Sequence, residues 1–116
     1  MKRNVYAARY RCMETPNDVI LTEAMLKVNY RKLVANRARK GYYHGTFSTK
    51  LVGEVAQKLK NPSFAVLFIE AQFSSMPYSF CMDKFSKPYP PASVVFGGRC
   101  FERYDNYKKR GIRDGA

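Results

Sequence analysis

Hydrophobic residues recur along this chain with two different periods. Through residues 22–60 they return every three or four positions, the repeat of a helix. On either side of that stretch they alternate or run on without a break, as in strands. Leu26, Tyr30, Leu33 and Val34 form one helical stripe, with Lys27 and Arg31 on one shoulder and Lys32 and Arg39 on the other. Thr22 suits the cap of this helix, Glu23 the positive end of its dipole and Gly41 the position past its end, so a helix is expected over residues 22–40. Leu51, Val52, Val55, Ala56 and Leu59 form a second stripe. Ser48 or Thr49 can cap it, Asn61-Pro62 stops it, and Glu54 can pair with Lys58 one turn on, which predicts a helix over residues 48–60.

Outside the helical stretch the pattern points to a sheet. Residues 4–12 alternate weakly and read as a first strand, closed by the turn chemistry of Thr15-Pro16-Asn17-Asp18. Residues 63–73 are rich in aromatic and β-branched side chains, and Ala65, Leu67, Ile69, Ala71 and Phe73 would give one wholly apolar face. The other face turns polar at Glu70 and Gln72, as in a central strand whose end reaches water. Residues 78–85 read as its antiparallel partner, the Pro-rich residues 86–91 as an extended loop, and residues 92–96 as a further strand. Gly97-Gly98 suits a hairpin turn, although Phe101, Tyr104 and Tyr107 would also share one stripe of a helix over residues 99–110; the hairpin is the reading preferred. The expected fold is therefore α+β: an N-terminal strand, two helices, then a mainly antiparallel sheet of three or four strands. One domain is expected over residues 1–107, followed by a basic tail over 108–116.

Composition narrows the class. With 46% hydrophobic and 15% aromatic residues the chain can build a core, so general disorder is excluded. No apolar run approaches the ~20 residues that cross a bilayer, and the N-terminus lacks the apolar middle of a secretory signal, so a soluble cytoplasmic protein is expected. Cys12, Cys81 and Cys100 are widely spaced with no CxxC, which fits small buried side chains better than a disulfide framework or a metal site. No cofactor or metal is expected.

The charge changes the picture more. Lys and Arg number 21 against 9 Asp and Glu, a net charge of +12. Residues 1–60 hold 13 basic and 4 acidic side chains (net +9), residues 61–98 two of each (net zero), and residues 99–116 six and three (net +3). A neutral, aromatic middle is a core candidate, and the two basic ends are candidates for a working surface. Residues 36–50 join Arg37, Arg39, Lys40 and Lys50 to Tyr42, Tyr43, His44 and two glycines. Cations can displace counterions from phosphates and aromatic faces can stack on unpaired bases, so this segment is the first candidate site. Lys27 and Arg31 extend it from the preceding helix, and Arg103, Lys108, Lys109 and Arg110 form a second basic-aromatic stretch with Tyr104 and Tyr107.

Three functions are then compatible with the sequence. The first is a non-enzymatic protein that binds DNA or RNA, or a complex that handles it, through this cationic, tyrosine-rich surface. The second is an inhibitor or regulator of phage or mobile-element type, whose cations meet an acidic patch on a polymerase or defence nuclease. The third is a small ribonuclease using His44, with Glu70 as its proton partner. No stretch reproduces the signature residues of recognition helices, zinc fingers, RNP-type sheets or toxin nucleases.

Overall fold

The computed structural model describes residues 16–38 and 47–110, and side chains from residue 18. Among the described residues every regular element is a helix. They are α1 (Pro16–Ala38), α2 (Thr49–Leu59), α3 (Ser63–Ser75), α4 (Tyr78–Phe85), the single turn α5 (Ala92–Val95) and α6 (Cys100–Arg110). The expected sheet, and with it the α+β class, is thus overturned. The first strand, expected over residues 4–12, lies outside the described residues.

α3 is the centre of the fold, packed on α1 along one side and on α6 along another. Its start is written in Asn61-Pro62, which follows the Lys60 cap of α2 and begins α3. Asn61 Oδ1 accepts from the Ser63 amide at 2.9 Å and from Ser63 Oγ at 2.7 Å, and Pro62 sits in the helical region where a missing N–H costs nothing. Ala65, Phe68, Ile69, Ala71, Gln72 and Phe73 are all buried. Its exposed side carries Phe64 and Val66 as well, so the helix shows no continuous polar stripe and its sequence resembles a strand.

The other predicted strands are corrected in the same way. Residues 78–85 form α4, entered from Pro77, and residues 92–95 form α5, entered from Pro91; each proline precedes the first helical residue. Gly97 and Gly98 turn the chain from α5 into α6 and do not make a hairpin. A Cβ on Gly97 would lie 2.7 Å from the Ser93 carbonyl oxygen, and Gly98 has φ +55°. The boundary expected at residue 108 falls inside α6, whose last turn holds Lys108, Lys109 and Arg110.

The two expected helices are present, with altered details. α1 begins six residues earlier than expected, at Pro16, because proline is tolerated in a first turn. Thr22 is therefore no cap: it is buried mid-helix, its Oγ1 donating to the Asp18 carbonyl at 2.6 Å. Ser48 does cap α2, accepting from the Leu51 amide at 3.3 Å, and Val52, Val55, Ala56 and Leu59 form its buried face. Glu54 pairs with Lys50 at 3.6 Å, whereas Lys58 lies over the Phe101 ring.

Two aromatic clusters fill the interior. Tyr30 meets Phe47, Phe73 and Phe96 with ring centroids 5.5, 5.9 and 6.0 Å away, and its hydroxyl donates to the Pro90 carbonyl at 2.9 Å. Phe68 meets Phe101 and Tyr104 at 5.2 and 5.3 Å. Tyr89 and Pro90 of the Pro-rich loop are buried, so the loop closes the core.

Candidate functional site

The cations of this protein divide into those turned inward and those left at the surface. Arg37, on the last turn of α1, donates to the carbonyls of Phe73 (2.7 Å), Met76 (2.8 Å) and Pro88 (3.0 Å), with its guanidinium 5.0 Å from the centre of the Phe73 ring. It ties α1 to the end of α3, the turn that follows and the Pro-rich loop. Arg103 donates to Gln72 Oε1 at 2.7 Å and to the Val94 carbonyl at 2.9 Å, and burial lowers its pKa. Both side chains spend their donors inside the fold, as the fork of an arginine allows.

Five of the other described cations, Lys27, Arg31, Lys58, Lys60 and Lys108, border a furrow that follows α2. At one end Phe47 carries Arg31 4.8 Å and Lys27 5.9 Å from its ring centre. A depression of about 270 Å³ begins there, between Phe47, Leu51 and Phe96. It shares Leu51 and Phe96 with a second, of about 530 Å³, floored by Val55, Gly97 and Phe101. The second shares Gln57, Lys58 and Phe101 with a third, of about 700 Å³, between the end of α2, the start of α3 and α6. This last part is ringed by Lys58, Lys60 and Lys108 around Phe64, Phe101 and Tyr104.

Local structure explains why those groups converge. Lys60 ends α2 in a left-handed conformation (φ 59°), its amide bonded to the Ala56 carbonyl at 2.8 Å, and this turns the chain into α3 beside it. Phe64 follows in the first turn of α3 and stays 44% exposed. From α6, Lys108 Nζ lies 4.2 Å from the Tyr104 ring centre, and Lys58 Nζ of α2 lies 5.1 Å from that of Phe101. Asp105, the carboxylate on this rim, is 3.9 Å from Lys108. Cations held over aromatic faces beside an open apolar floor suit a ligand that is anionic and planar by turns.

Of the predicted site residues, Lys27, Arg31 and Lys108 thus border one furrow, and exposed Lys50 pairs with Glu54, which lines its middle part. Lys109 and Arg110 are exposed beside Lys108 at the end of α6, and among the described residues neither has an ion pair. Arg39, Lys40, Tyr42, Tyr43 and His44 lie outside the described residues. Glu70 is exposed on α3. Lys58, Lys60 and Phe64 were not among the predicted residues, because their meeting depends on α2, α3 and α6 all being helices.

Cys81 and Cys100 are buried free thiols, and burial raises the pKa of each. Among the described residues no three or more His, Cys, Asp or Glu side chains gather to hold a metal ion, and no helix is long and apolar enough to cross a membrane. No protein-family model, no curated protein and no solved structure matches this chain.

Proposed function

We propose that this chain is a non-enzymatic binding protein of the cytoplasm whose furrow along α2 takes single-stranded nucleic acid. The observation that carries the reading is the convergence of Lys58, Lys60 and Lys108 on the exposed Phe64 and half-buried Phe101, with a second cation-bordered ring, Phe47, at the far end of the same furrow. A flexible polyanion with flat apolar bases matches that alternation. Phosphates would displace counterions from the lysines, while unpaired bases stack on the rings. A rigid duplex hides its base faces and would leave Phe64 unused.

Fluorescence anisotropy with labelled single-stranded and duplex oligonucleotides tests this. The single strand is expected to bind more tightly, and Phe64→Ala to weaken it roughly five- to a hundredfold, the range for one stacked base. Equal affinity for both forms, or a Phe64→Ala variant that binds like the parent, would refute the furrow as the site. Pull-down from nuclease-treated lysate separates the competing reading, since a stoichiometric protein retained after digestion would make an acidic protein surface the partner.

A further inference from the structure

α1 is apolar on two opposite faces. Inward, Thr22, Leu26, Tyr30 and Val34 are fully enclosed, where the helix packs on α2 and α3. Outward it carries Ile20, Leu21, Ala24 and Val28, and Ile20, Leu21 and Val28 are 64%, 50% and 47% exposed. A helix on the outside of a small domain ordinarily shows water a polar face, yet α1 has almost no difference in hydrophobicity between its faces. Leu21, Ala24 and Val28 keep the alternating three- and four-residue spacing of a helix–helix seam. Charge is graded along the same face, with exposed Asp18 at its N-terminal end and exposed Lys32 at its C-terminal end.

A stripe that is acidic at one end, apolar in the middle and basic at the other complements its own reverse. We propose that this face of α1 binds a second copy of the chain, the two α1 helices crossing antiparallel at Ala24 about a twofold axis. Leu21 of each copy then lies against Val28 of the other, and the small Ala24 lets the backbones approach. A twofold axis places the same flank of both helices together, so Asp18 of each copy meets Lys32 of the other. A parallel pairing would instead set Asp18 beside Asp18 and Lys32 beside Lys32. The interface leaves the furrow along α2 open, because Asp18, Leu21, Ala24, Val28 and Lys32 are not among its lining residues.

Sedimentation equilibrium of the full chain, from micromolar towards millimolar concentration, reads the association. A reversible monomer–dimer equilibrium is expected, and Val28→Lys should raise its Kd about tenfold or more. Asp18→Lys and Lys32→Asp should each weaken the dimer, and the two together should recover most of the loss, a test that stands whether or not Val28→Lys folds. A single 13.4 kDa species throughout overturns the proposal. So does a dimer that ignores Val28→Lys, or a double variant no better than either single one.

Discussion

Arg103 Nε donates to Gln72 Oε1 at 2.7 Å, and Gln72 in turn donates from Nε2 to the Cys100 carbonyl at 2.9 Å. With the Arg103 bond to Val94, this relay clips α3, α5 and α6 together through one fully buried amide. Gln72→Leu keeps the volume but removes a hydrogen bond from both partners, so it should cost about 1–3 kcal/mol in urea unfolding. Gln72→Glu, which retains an acceptor but loses the donor to Cys100, should also destabilise.

Arg37 makes a second clip of the same kind, to three carbonyls on the end of α3 and two connections. Arg37→Lys keeps the charge but cannot span them, and is expected to lower stability by about 2 kcal/mol or more. Its affinity for oligonucleotide, measured below the shifted unfolding midpoint, should stay near that of the parent.

The two glycines before α6 are required for different reasons. Gly97→Ala forces a Cβ against the Ser93 backbone oxygen at 2.7 Å, whereas Gly98→Ala meets open space and only the strain of a positive φ. Thermal unfolding should show Gly98→Ala losing about 1 kcal/mol and Gly97→Ala distinctly more.

Alkaline pH should unfold the chain by way of its buried neutral groups. Burial pushes Tyr30 above its ordinary value of 10.0, and Cys81 and Cys100 above 9.0, so each stays neutral in the folded state where the unfolded chain already ionises. A folded pKa above the unfolded one gives stability that is complete below the unfolded value and is lost as pH rises beyond it. The urea midpoint should therefore fall from about pH 9 upward, first through the thiols and then through Tyr30. In Tyr30→Phe the decline beyond pH 10 should be shallower, from a lower starting stability because the bond to Pro90 is gone.

Much of α1 and α2 can be read directly from the chain, because each of these helices buries one recognisable stripe and Ser48-Thr49 offers a cap, which the structure assigns to Ser48. α3 defeats that reading. Ala65, Phe68, Ile69 and Gln72 do fall at helical spacing, but exposed Phe64 and Val66 add apolar positions outside that stripe, so alternation is equally visible, and β-branched and aromatic residues tip the balance towards a strand. Asn61-Pro62 held the missing signal, since an Asn followed by Pro can open a helix as well as close one. The candidate site is legible in its charge alone. Lys27, Arg31 and Lys108 are found because cations are conspicuous, but nothing in composition separates them from Arg37 and Arg103, whose donors are used by buried carbonyls and an amide. Lys60 and Phe64 become site residues only once α2, α3 and α6 converge, which no local pattern encodes.

The furrow along α2 is tested most directly by the salt dependence of single-strand binding, compared between the parent chain and the Lys58→Gln, Lys60→Gln, Lys108→Gln triple variant. Each phosphate neutralised on a single strand contributes about −0.7 to the slope of log affinity against log salt, so the variant's slope should be shallower by about 2. Parallel lines for the two proteins, or no salt-dependent binding by the parent, would contradict the account.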